Sequence, residues 1–245
     1  MSLMWTVKVV SLGAVALSLS VELLCRLLYR LKPPRTLNEV LFFPAEVACM
    51  EHIFSPASPH SCPLPHGVET SFSRLLRFLL SASSSLDVCM FSFSNMDLGR
   101  AVVELYRRRV TVRILVDKHY SAISGSQVGA LRKAVYRYII SSTHGVWSWT
   151  TAGICVRKVA GYMHMHHKFA VVDSRLLITG SLNWTLAAVQ SNSENILITE
   201  ESDLVRPYVK EFSRLWADND PSQNAPSSSQ KLADMDSGLM SSGGY

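Results

Sequence analysis

The chain has 245 residues, a formal net charge of +5 and 48% hydrophobic residues, which suits one catalytic domain with appendages. Twelve Gly and ten Pro exclude a collagen-like or Pro-rich chain, and five scattered Cys (25, 49, 62, 89 and 155) make no disulfide framework. Charge is uneven: residues 70–200 carry fifteen Lys/Arg against seven Asp/Glu, a surplus of 8, which favours a polyanionic partner such as a phosphodiester, a nucleic acid or an anionic membrane.

In chain order, residues 9–21 carry no charge, and 4–28 is mostly apolar. This stretch reads as a membrane anchor, since a bilayer core takes about 20 helical residues, with a cleaved signal peptide and a soluble core helix as the competing readings. Arg26, Arg30, Lys32 and Arg35 follow it, and only Lys8 precedes it within the chain, so the positive-inside bias puts residues 33–245 on the cytosolic side. Residues 1–35 form this anchor and its basic flank, closed by Pro33-Pro34. Residues 36–68 read as irregular, with five Pro and a group of Cys and His.

An α/β pattern fills 69–218. Phe72, Leu75, Leu76, Leu79 and Leu80 mark one helix face. Residues 86–93 read as a buried strand, 97–108 as a helix capped by Asp97, 110–116 as a strand and 126–134 as a short helix. Strands follow at 166–173, 175–180 and 194–199, then a helix at 203–216. Alternating strands and helices predict a layered α/β/α domain around a central mixed sheet. Residues 219–245, rich in Ser, Gly and Asp, read as a disordered tail.

The informative stretch is HMHHKFAVVDSRLLITGSLNWT. His166 and Lys168 are two apart, so on a strand they share a face; Asp173 closes that strand, and Gly180-Ser181 and Asn183 follow the next. An imidazole can attack phosphorus, while an ammonium and a carboxamide can hold the non-bridging oxygens as charge develops. No cluster of metal-binding carboxylates is needed, so no catalytic metal is expected. His164 and His167 lack the spacing to Lys and read as structural or surface residues.

The H-x-K-x4-D-x6-G-S-x-N set resembles the H-K-D motif of the phospholipase D superfamily. The resemblance implies that His166, Lys168 and Asp173 are catalytic, that Ser181 and Asn183 serve the substrate phosphate, and that Glu194 orients the nucleophilic histidine. That family needs two motifs face to face. With one motif here, the resemblance implies a homodimer in which two copies of His166 meet.

GYMHMHHKFAVVD, GSLNWT, SENILITE, GSQVGALRKA and Leu64-Pro65-His66-Gly67 are similar to the mitochondrial phospholipase D subgroup, over most of residues 1–218. The subgroup implies an anchor in the mitochondrial outer membrane. It implies two reactions: hydrolysis of cardiolipin to phosphatidic acid, and endonucleolytic cleavage of single-stranded RNA in piRNA biogenesis. A catalytically silent, membrane-tethered scaffold of the same fold is the alternative.

Cys49, His60, Cys62 and His66 offer four N/S donors that tetrahedral zinc accepts, with His52 as a competing ligand. By spacing alone they are as readily unrelated loop residues; the subgroup's atypical zinc finger at this place implies a structural zinc. Two departures stand out. Residues 135–152 intervene as an apolar insertion, either a membrane- or partner-facing loop or an isoform or gene-model product. Met-His-Met-His-His replaces a shorter Met-His-His before Lys168.

Overall fold

The computed structural model describes residues 17–26, 36–56, 61–131, 154–159, 161 and 163–222. The chain divides into two compact units, Met1–Thr36 and Leu37–Tyr245. In the first, residues 17–26 form helix α1, with Leu17, Leu19, Val21, Leu23 and Leu24 exposed and Arg26 paired to Glu22 at 2.6 Å. No helix among the described residues is long and apolar enough to cross a membrane, and most of the expected anchor lies outside them. The insertion at 135–152 and the tail beyond 222 also lie outside them.

The second unit holds a seven-stranded mixed sheet in the order β1-β7-β6-β5-β2-β3-β4. Its strands are β1 (Asn38–Phe43), β2 (Ser85–Met90), β3 (Thr111–Asp117), β4 (Cys155–Val159), β5 (Lys168–Val172), β6 (Leu176–Gly180) and β7 (Glu194–Thr199). β2, β3 and β4 run parallel, and β2-β5, β5-β6, β6-β7 and β1-β7 pair antiparallel. Side chains alternate across the sheet as the pleat requires. Leu86, Val88, Met90, Ile114, Ala170 and Ile178 face one apolar cluster, whereas Cys89, Leu115, Phe169, Val171 and Leu177 face another.

Helices α2 (Glu51–Phe54), α3 (Ser71–Leu80), α4 (Met96–Arg107), α5 (127–131) and α6 (Leu186–Gln190) pack side chains on the first cluster; α7 (Ser202–Asp218) packs Val205, Phe212 and Leu215 on the second. Thr70 and Ser73 form a reciprocal capping box that starts α3. The cap of α4 is Asn95, whose side chain accepts from Leu98 N at 3.0 Å, and not Asp97. Asn95 holds the extended backbone that a cap needs, and Asp97 is already inside the first turn.

The segment expected to be irregular contains β1. Leu41 and Phe43 enter the core and Val40 and Phe42 stay exposed, a period-two pattern hidden among prolines. The expected strand 86–93 ends at Met90, where Phe91 turns its N–H to His167 O at 2.9 Å.

Candidate active site

Strand directions bring one set of ends together. Met90 pairs with Lys168, Phe169 with Thr179, Gly180 with Ile196 and Phe43 with Glu194. The starts of β5 and β7 and the finishes of β2, β3 and β6 therefore meet on one edge of the sheet. His166 lies just before β5, in a segment without ladder pairing, and it is exposed. It does not sit on the strand, but its neighbours pin it: Met165 N donates to Asp117 Oδ2 at 3.0 Å, and His167 O accepts from Phe91 N.

Lys168 Nζ lies 3.1 Å from His166 Nδ1 and donates to His166 O at 3.0 Å. The Phe91 ring underlies both, with its centroid 4.5 Å from that of His166 and 5.3 Å from Lys168 Nζ. Burial lowers the Lys168 pKa, partly offset by the charge of Glu194. The imidazole, the ammonium and the acidic group are thus gathered as expected. Glu194, however, takes its hydrogen bond from Asn192 Nδ2 at 3.1 Å, and among the described contacts it is Lys168 that touches His166 Nδ1.

Gly180 and Ser181 close the β6-β7 edge. A Cβ on Gly180 would meet Asn195 O at 2.1 Å, so only glycine permits this approach. Ser181 N donates to Asn195 O at 3.0 Å, and Ser181 Oγ accepts from Asn195 N at 3.1 Å, leaving the hydroxyl hydrogen free to point elsewhere. Asn183 is half-buried, and its Oδ1 is buried with no partner among the described residues. A buried acceptor left unpaired costs about 1–3 kcal/mol, which a fold retains more readily where the group has a task.

Asp173 does not join this cluster. It follows the last residue of β5, at the other end of the strand from His166, about 20 Å away by strand rise over seven residues. Its carboxylate accepts from the N–H groups of Ser83, Ser84 and Ser85 and from the hydroxyls of Ser83 and Ser84, at 2.8–3.2 Å. Burial would raise its pKa, but these donors outweigh burial and hold it well below the usual carboxylate range. Asp173 and Ser174 adopt φ of 52° and 54°, making the left-handed turn into β6. The geometry makes Asp173 a clamp between the β5-β6 turn and the start of β2.

Four residues near His166 carried no mark in the sequence reading: Phe91, Asp117, His119 and Tyr120. Asp117 ends β3, is 2% exposed, and accepts from His119 N (2.9 Å), Tyr120 N (3.1 Å) and Met165 N. Burial would raise its pKa, but these N–H donors outweigh that and lower it. An acid terminating a buried strand was the available signal. His164 faces this carboxylate, and His167 Nε2 lies 3.6 Å from Glu211 on α7.

In the segment that follows β1, one donor atom each from Cys49, Cys62 and His66 lie within 4.8 Å of one another. Cys49 N donates to Pro65 O at 2.8 Å, tying the two segments together. Zinc at about 2.0–2.3 Å from each donor fits three such groups, with a fourth still to be supplied. His52 turns Nδ1 to Cys49 O at 2.9 Å and is outside the group, and His60 lies outside the described residues.

An imidazole held against an ammonium beside a glycine-tight turn suits phosphodiester chemistry, and comparison with known proteins gives the class. The chain belongs to the phospholipase D superfamily, matching the family described as "Cardiolipin synthase, PLD-like domain" over residues 75–216. It is 52% identical over 225 residues to the mitochondrial cardiolipin hydrolase of Danio rerio, covering 90% of this chain and 91% of that one. With the Homo sapiens protein of the same name it shares 45% over 226 residues, 88% and 82% of the two chains. Nuc from Salmonella typhimurium, a solved phospholipase D family member, has the same fold (TM-score 0.54, 21% identity, 75% of this chain and 95% of Nuc). NucT from Helicobacter pylori is similar at TM-score 0.52 and 19% identity, over 75% and 97%.

Proposed function

We propose that this phosphodiesterase hydrolyses cardiolipin to phosphatidic acid, cleaves single-stranded RNA as an endonuclease in piRNA biogenesis, or does both, from a homodimer anchored in the mitochondrial outer membrane. The observation that carries the reading is the contact of Lys168 with His166 at the exposed sheet edge, beside Asn183 and Gly180. The names of the relatives support cardiolipin and mitochondria; the basic surplus and single motif support a polyanionic substrate and a second copy.

His166 attacks phosphorus, and the bond to the leaving oxygen breaks as a phosphohistidine forms. His166 of the partner subunit gives its proton to the leaving oxygen, then removes one from the water that hydrolyses the adduct. Lys168 and Asn183 hold the non-bridging oxygens; as Lys168 moves to the phosphate, Glu194 takes over the orientation of the imidazole. No step needs a metal. The full chain in detergent should cleave cardiolipin in micelles or end-labelled single-stranded RNA, with turnover surviving a short exposure to EDTA. Loss on EDTA with recovery by magnesium would refute this chemistry.

Cys49, Cys62 and His66, with His60 as fourth ligand, would hold one structural zinc and so brace a loop-rich segment. Metal analysis of the purified chain should find about one zinc per copy; folded, active protein without zinc would overturn the assignment. The anchor is supported by the uncharged run at 9–21 and by the exposed apolar side chains of α1. On isolated mitochondria, a C-terminal tag should be digested by added protease. A tag protected until the outer membrane is ruptured would reverse the orientation.

A further inference from the structure

His164 is joined to the site through Phe91, the ring that His166 and Lys168 also contact. Its Nδ1 lies 3.5 Å from Asp117 Oδ2, while 54% of its side chain remains exposed. With Nδ1 turned to that carboxylate, Nε2 occupies the opposite edge of the ring. The ring meets His119 (centroids 6.0 Å), Tyr120 (5.8 Å) and Phe91 (5.6 Å), all edge-on. Phe91 is also the ring beneath His166, at 4.5 Å, so the imidazoles of His164 and His166 lie within about 10 Å of each other. Lys118 adds an exposed positive charge next to His119.

The charged and titratable groups around His164 are therefore Asp117 at the end of β3, then His119 and Tyr120 in the turn that follows. His166 and Lys168 lie across Phe91. Asp117 is fixed by three N–H groups, so its carboxylate orients the imidazole, and those donors offset part of its charge toward a ligand on the exposed edge. An oriented N–H at an exposed edge, backed by a buried carboxylate, suits an anion.

We propose that His164, with His119 beside it, forms a second phosphate subsite. It takes the phosphodiester that lies one three-carbon bridge away from the scissile one. This rests on His166 being the nucleophile. The bridge is common chemistry: the central glycerol of cardiolipin and the sugar carbons between successive phosphates of RNA both separate two phosphates by O–C–C–C–O. Substrates with a second phosphate gain an additional charge-assisted contact; those with one phosphodiester do not.

The test compares the full chain in detergent on two pairs: cardiolipin against phosphatidylglycerol in the same micelles, and a trinucleoside diphosphate against a dinucleoside monophosphate. The two-phosphate member should show about tenfold higher kcat/KM in at least one pair, beyond the roughly twofold supplied by a second cleavable bond. The pair that shows it identifies the source of the phosphate. His164→Ala should bring the ratio down to that statistical value, and His164→Arg, which keeps an N–H donor, should preserve it. A wild-type ratio near the statistical value in both pairs overturns the subsite. So does His164→Ala lowering both members equally, since that marks a purely structural role. His166→Asn separates the two ideas: if that variant cleaves as well as wild type, the nucleophile reading fails whatever the ratio.

Discussion

His166→Asn should lower turnover of every phosphodiester substrate by at least about 10⁴-fold, because it removes the atom that forms the covalent adduct. The fold should not suffer. His166 is exposed and makes no ladder pairing, and its segment is held by backbone contacts on both sides, from Met165 N to Asp117 and from Phe91 N to His167 O. Unfolding free energy should therefore change by less than about 0.5 kcal/mol, as for surface positions. Lys168→Ala should cost about 10²–10³-fold, the loss of one charge at the developing oxyanion. Because burial lowers the Lys168 pKa, its ammonium should be lost at a lower pH than that of an ordinary lysine, and activity should fall there. Matched kinetics and chemical denaturation check both variants. Residual turnover of several per cent in purified His166→Asn, or wild-type turnover in Lys168→Ala, would count against the assignment.

Asp173→Ala should cost about 1–3 kcal/mol of stability, since it removes the acceptor shared by the N–H groups of exposed Ser83 and Ser84 and half-buried Ser85 and places Ala at a left-handed φ of 52°. The folded-state pKa is depressed, so the contribution is present above the ordinary carboxylate pKa of about 4 and is lost as pH falls below it. Wild type and variant should accordingly converge in acid. Asp173→Asn tolerates the left-handed turn and should lose less. Urea unfolding across pH 3 to 7 reads both effects. If Asp173→Ala keeps its stability but loses turnover, the carboxylate acts in catalysis after all and the clamp is wrong.

The polar constellation was legible in the sequence through the spacing of His166, Lys168, Gly180, Ser181 and Asn183, with Glu194 added by the resemblance to the H-K-D family, and these residues do converge on one sheet edge. The distance of Asp173 from His166 was less legible because a motif read as a string hides the length of the strand between its members. Five residues of β5 set His166 and Asp173 at opposite ends. Phe91, Asp117, His119 and Tyr120 were silent because they reach the site through parallel β2-β3 pairing and through loops, which leave no local period. β1 escaped for a related reason: its partner β7 is more than 150 residues away, with Asn38 opposite Thr199. Helix α6 is too short to show periodicity, though Thr185 caps it by accepting from Ala188 N.

The proposed mechanism puts a covalent phosphorus adduct on one imidazole. Wild-type protein mixed with excess substrate, quenched within the first turnover and digested under conditions that preserve phosphoramidates, can be read by mass spectrometry. The adduct should be found on the peptide containing His166, localised to that residue by fragmentation, and should be missing from His166→Asn. An adduct on His164 or His167, or full turnover with no adduct at any quench time, would contradict the mechanism.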